Sequence, residues 1–460
     1  MPSILRGLPV AIPRPPAPSA PVPARSRAIM LAGYVAMTVA FVFYVVATRP
    51  NTGLDMEVYW RAAQVLHGVN PTATELYDPG LVNIGSALLP FTYPPISALI
   101  FSPLGGLTLE EAWQVVAPVE AVLIGVFAWL VLRLAPFARG WFGVQVVPSL
   151  IAYAVVLGLL WNLFPLRFTV ALGQINTLLA ILIMADLARR PSRRWGSGIL
   201  TGFAAGLKVT PAAMGLVPLA QGRWRTIVGM GIGLATTIAI SALFLPREVW
   251  SYFGTQLWET GRVGQEDRIS NMSLNGMLHL LGFPDGVISP LRMVLILLVI
   301  VGGALAIRRI SRAGDLYSAT LIGALVMLLI SPISWEHHWV WVAPLILAVL
   351  PAEPRNAPVW EWAVVALLIG LLLWSFTDSP YNFAAQVLGP EYTPRGQTLH
   401  GPPELERTST IPVMVAMAAG VWLAVRPYPR PDAHARAAEE AADVEAAHEM
   451  SGEERAELTA

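Results

Sequence analysis

Apolar runs near twenty residues recur along this chain, divided by short polar segments in which arginine collects on alternate sides. Such spacing predicts membrane-crossing helices. The first run covers 28 to 48. "AWQVVAPVEAVLIGVFAWLVLRL" crosses back to Arg133 and Arg139, "WFGVQVVPSLIAYAVVLGLLWNLF" leads out, and "FTVALGQINTLLAILIMADLARRPSRR" returns to an arginine cluster. Further runs follow at 226 to 245, 291 to 307, 316 to 331, 338 to 352, 358 to 376 and 411 to 426. Arginine on both flanks of "ILTGFAAGLKVTPAAMGLVPLAQGRWR" predicts a hairpin with Lys208 near its apex, and "FTYPPISALIFSPLGG" at 91 to 106 is too short and proline-broken to span. The expected fold is an all-α polytopic membrane protein of about ten full spans plus two partial or re-entrant hairpins. Both termini fall on the arginine-rich, cytoplasmic side.

One polar stretch has a period of its own. In "NTGLDMEVYWRAAQVLHG", residues 51 to 68, Leu54, Val58, Ala62, Val65 and Leu66 share a face, which predicts an external amphipathic helix lying on the membrane. Residues 1 to 27 are Pro/Ala-rich and basic, expected as a disordered cytoplasmic tail, and 427 to 460 form an Ala/Glu-rich cytoplasmic tail. The membrane domain is 28 to 426.

Composition narrows the function classes. The chain is 55% hydrophobic and 13% charged, which fits a multi-pass protein of the plasma membrane and makes the lipid bilayer its first partner. A formal net charge of zero gives no argument for a nucleic-acid partner. With no cysteine, disulfides, thiolate metal sites and thiol catalysis are excluded. No metal motif or cofactor-binding loop is present, since the adjacent His337 and His338 lack spaced carboxylates.

With the expected topology, the unusual polar residues gather on the outer side, where polar groups at membrane depth face a cavity or one another. Asp55 suits either the cap of the amphipathic helix or a general base. Glu57 has Arg61 four residues on, the favoured orientation for a helical ion pair. Lys208 is the single lysine among 30 basic residues, set in an apolar hairpin. A compact ammonium there suits a phosphate contact, or else bonds hairpin carbonyls or neutralises a buried carboxylate. His337 and His338 point about 100° apart if helical, so one of them at most faces a site. The bland alternative makes Trp335, Trp339 and Trp341 an interfacial belt with the histidines at headgroup level. "NMS" at 271 to 273 also fits a glycosylation sequon.

The ordered series "GLDMEVYWRAAQVLHGVNP", "FTYPPISALIFSPL", "ALGQINTLLAILIMADLA", "GLKVTPAAMGLVPL", "NMSLNGML" and "SPISWEHHWVW" resembles the polyprenyl-phosphate-dependent membrane glycosyltransferases of family 87, with the GT-C fold. The likeness is greatest to actinobacterial α-1,2-mannosyltransferases that build phosphatidylinositol mannosides and lipoarabinomannan. It covers most of 30 to 425, and departs from the family's pattern at Met272, where many relatives carry Gln. The resemblance implies transfer of mannose from a polyprenyl-phosphate sugar donor to a hydroxyl of a glycolipid or lipoglycan acceptor, on the extracytoplasmic face and with inversion. Asp55 matches the family's base. Lys208, His337 or His338 and, more weakly, Arg167 are then the donor-phosphate candidates, while Tyr93, Gln174, Asn176 and Asn271 would contact sugar or acceptor, beside Glu57 and Arg61. Neither metal nor cofactor is required. Relatives with this fold also use an arabinofuranosyl donor, and a secondary transporter would gather similar charges, although no paired inverted repeat is found.

Overall fold

The computed structural model describes residues 22–48, 53–84, 87–138, 142–189, 197–351, 354, 356–392 and 401–428. Most of both expected tails, and the arginines from 190 to 194, lie outside the described residues. The helices are α1 Ala24–Thr48, α2 Leu54–Leu66, α3 Pro95–Phe101, α4 Leu109–Leu134, α5 Val146–Asn162, α6 Phe164–Leu172, α7 Asn176–Leu187, α8 Ile199–Leu207, α9 Leu216–Ala220 and α10 Trp224–Phe244. They continue as α11 Pro246–Gly254, α12 Leu274–Leu280, α13 Asp285–Arg312, α14 Leu316–Ile330, α15 Val342–Ala348, α16 Val359–Phe376, α17 Pro380–Leu388, α18 Pro403–Thr408 and α19 Ile411–Val425. A small antiparallel hairpin, β1 Val82–Ile84 and β2 Ala87–Leu89, pairs Val82 with Leu89 and adds two strands to the helical fold.

Six helices among the described residues are long and apolar enough to cross a membrane, and seven if the α5–α6 pair, bent by 69°, counts as one span. This is a polytopic helical membrane protein. The expected count of about ten also takes in runs that the structure divides into shorter helices, because hydropathy reads broken segments as continuous. The run from 168 to 187 breaks between α6 and α7 at Gly173, whose φ of +72° suits glycine. The run from 338 to 352 holds only the seven residues of α15. At 1.5 Å per residue, α7 and α14 reach about 18 and 22 Å, against a hydrocarbon core of about 30 Å.

α14 is apolar on every side and buried along nearly its whole length, which makes it the central helix. By contrast, α1 and α13 lie at the edge and turn Phe43, Leu297, Leu298 and Leu305 outward, as lipid-facing helices do. The hairpin around Lys208 is pressed onto α10 through glycine. A Cβ at Gly202 would strike the Met230 backbone and one at Gly206 the Thr237 side chain, so the two helices approach to backbone contact. At the opposite end from α2, Arg426 and Asp315 form a buried ion pair of 2.8 Å, tying α19 to the start of α14.

Candidate active site

α2 starts at Gly53, which adopts the left-handed conformation and donates its N–H to the Ala171 carbonyl at 3.2 Å. The N-cap is therefore Gly53 and not Asp55, which falls in the first helical turn. The helix packs against the α6–α7 break because Gly173 has no side chain: a Cβ there would come within 2.8 Å of the Met56 Cβ and 2.9 Å of the Trp113 ring. That contact brings Gln174 beneath Asp55. The Gln174 side chain hydrogen-bonds Asp55, donates Nε2–H to the Tyr93 hydroxyl at 2.8 Å and accepts from the Tyr59 hydroxyl at 3.0 Å. Burial pushes the Asp55 carboxyl above the usual carboxylate range, with the Gln174 bond and the Lys208 charge only partly opposing it.

Lys208 occupies the break after α8. Its ammonium donates to Asn176 Oδ1 at 3.2 Å and lies 3.0 Å from His338 Nε2, 5.5 Å above the Tyr93 ring. Nε2 must then be the unprotonated nitrogen of a neutral imidazole, in line with burial and the Lys208 charge, which hold His338 well below the usual histidine range. Asn176 also donates to the His337 carbonyl at 3.0 Å, and Thr169 to the same oxygen at 2.9 Å. These two bonds fix the turn that presents His338. His337 itself is buried, its Nδ1 has no hydrogen-bond partner, and its ring packs on Phe168. His338 is thus the histidine that reaches Lys208.

Other expected residues have structural employment. Glu57 and Arg61 form the anticipated pair at 3.6 Å, with Arg61 also bonded to Gln64. Arg167 donates to the Thr377 carbonyl at 3.0 Å, just past the end of α16. Asn271 is buried and bonds main chain on two loops: Nδ2 donates to the Glu266 and Pro332 carbonyls, while Oδ1 accepts from the Ser273 and Ser334 amides. Met272 is buried as well, and its amide donates to the Ser334 carbonyl at 2.8 Å. Trp339 and Trp341 are buried, so they do not form an interfacial belt with Trp335, which is partly exposed.

Sequence reasoning passed over three residues. Tyr59 lies four positions after Asp55, on the same helical face, a spacing that could have identified it. Glu120, an acid within an apolar run, is buried in α4 with Oε2 unpartnered, close enough to raise the Tyr59 phenol further. Glu336 precedes the two histidines; burial pushes it up to about 7 despite the nearby Arg268.

A carboxylate with a raised proton affinity and a cation held by Asn176 and His338 meet in one site, and so can accept a proton and steady a leaving anion within one step. Comparison with known proteins gives the class. A polyprenol-phosphate-mannose-dependent α-(1-2)-phosphatidylinositol pentamannoside mannosyltransferase of Mycolicibacterium smegmatis is 31% identical over 333 residues, 71% of this chain and 77% of the relative. A phosphatidylinositol mannoside mannosyltransferase of Mycobacterium tuberculosis, of the same donor and linkage, is 30% identical over 71% of this chain and 76% of its own length. An α-(1->3)-arabinofuranosyltransferase of M. tuberculosis is 26% identical over 59% of this chain and 61% of its own. No solved structure matches. The sequence model described as "Glycosyltransferase family 87" matches residues 91–332, a stretch holding Tyr93, Gln174, Asn176 and Lys208, and the chain belongs to that glycosyltransferase family.

Proposed function

We propose that this glycosyltransferase moves mannose from a polyprenyl-phosphate donor to a hydroxyl of a phosphatidylinositol mannoside or related lipoglycan. The site faces the extracytoplasmic side and both termini are cytoplasmic, a topology supported by the arginine distribution. The acceptor oxygen attacks the anomeric carbon as its proton passes to Asp55. The bond from that carbon to the phosphate oxygen breaks with its electron pair leaving on the polyprenyl phosphate, and the configuration inverts. Lys208 directs two N–H bonds to Asn176 and His338, which leaves the third for the phosphate oxygen. Tyr93 lies under that ammonium and is bonded to the same Gln174 as Asp55, so it borders both reacting partners.

The observation that carries this reading is that Tyr93, bonded to the Gln174 beside Asp55, lies under the Lys208 ammonium and so links two ionisable residues 153 positions apart in a largely apolar chain. Mannose is favoured over arabinofuranose by the higher identity and longer coverage of the mannose-dependent relatives. Membranes carrying Asp55→Asn, supplied with labelled mannosyl-phosphoryl-polyprenol, test it: a loss of about a hundredfold or more is expected, and transfer at the wild-type rate would overturn the assignment of the base.

A further inference from the structure

A cavity whose described lining does not include Lys208 opens beside the start of α2. It holds about 710 Å³ between the end of α1, the start of α2 and the first half of α4, within the range of small-ligand sites. Gly53 and Met56, which flank Asp55 in sequence, form part of its wall, so the cavity lies at the start of the helix that carries the reacting carboxylate. Its chemistry is the reverse of that around Lys208. Among the described residues no cation lines it; the polar groups are the Glu110 carboxylate and the Gln114 amide, set beside the Trp113 ring.

Carboxylate, amide and an aromatic ring are groups that bind sugar hydroxyls and sugar C–H faces. They do not suit the donor phosphodiester, whose negative charge Glu110 would repel. We infer that this groove seats the terminal sugars of the acceptor glycolipid, so that the acceptor comes to Asp55 past the start of α2, apart from the donor phosphate at Lys208. The inference rests on the transfer reaction proposed above and adds where each substrate sits. α1 and α4 turn Val46, Val115 and Val119 outward, so the acceptor's acyl chains can stay in the bilayer while its glycan enters.

Two variants test the division in full-length protein reconstituted with a purified phosphatidylinositol mannoside and labelled mannosyl-phosphoryl-polyprenol. Gln114→Trp fills the groove, and Glu110→Gln removes its charge with little change of shape. Both are expected to raise the acceptor KM, the first by about tenfold or more, with the donor KM within about twofold of wild type. A rise in donor KM instead would assign the groove to the prenyl chain, and unchanged acceptor KM in both variants would remove the site; either result overturns the inference. Wild-type protein run beside them keeps the two readings apart. If it transfers no sugar from the mannosyl donor the reaction assignment fails, and if it accepts an arabinofuranosyl donor the same KM comparison is made with that donor.

Discussion

Lys208 Nζ lies 3.0 Å from His338 Nε2, a bond that joins the break after α8 to the turn before α15 across 130 residues of chain. It fixes the tautomer of His338 and the direction of the only lysine at once. Removing either end should therefore act on the donor side of the reaction rather than on the fold.

For Lys208→Ala we predict that donor KM rises by about tenfold or more, the scale of one charge-assisted hydrogen bond. His338→Gln retains an acceptor for the ammonium and should lose less than His338→Ala. Donor titrations on membranes with matched protein levels check this, and equal losses in the two His338 variants would show that the bond to Lys208 is not what matters.

The raised affinity of Asp55 for its proton predicts the acid side of the pH profile. A base works only when ionised, so kcat/KM should fall as pH drops through a midpoint above the ordinary carboxylate range. The same shift carries a stability consequence of opposite sense. Since burial disfavours the charged form in the folded protein, the stability Asp55 contributes is present below its unfolded value and declines as pH rises. Asp55→Asn should then keep or raise the thermal midpoint at neutral pH while activity is lost, which a melting curve in detergent can read directly.

Glu57 and Arg61 are both partly exposed, and their 3.6 Å pair lies on the surface of α2. Exchanging Glu57 for Gln should change stability by less than about 1 kcal/mol and leave transfer within a few fold of wild type. A hundredfold loss would move Glu57 into the reaction.

Asn271 gives the contrasting case. Its side chain accepts from two buried amides and donates to two carbonyls, and a Cβ on Gly276 would collide with its backbone. Asn271→Ala leaves these groups unpaired and should destabilise the loops by about 1–3 kcal/mol for each group that water does not reach. Hydrogen exchange at Ser273 and Ser334 is the direct readout, with donor and acceptor KM changing together if the loops loosen.

That the chain is a helical multi-pass membrane protein was legible in the sequence, because apolar run length obeys the thickness of the bilayer. So was the amphipathic helix, whose buried face includes the expected Val58 and Ala62. Which runs stay unbroken was not. Breaks at Gly173 and around the histidine turn depend on what packs against them, and an apolar segment reads alike whether it is continuous or bent.

For the site, the sequence by itself determined which residue types were out of place: a lone lysine, two acids at a membrane exit, a histidine pair. Matching motifs gave Asp55 an expected role, yet could not place Gln174 beside it or Tyr59 in the same network. Only the tertiary structure decided those partners, together with which histidine meets Lys208 and the main-chain bonds of Asn271 and Arg167. The reason is physical. Solvation and chain periodicity act on each segment separately and are written in its composition, whereas a hydrogen bond of 3 Å between residues 130 apart exists only after every intervening helix has found its place.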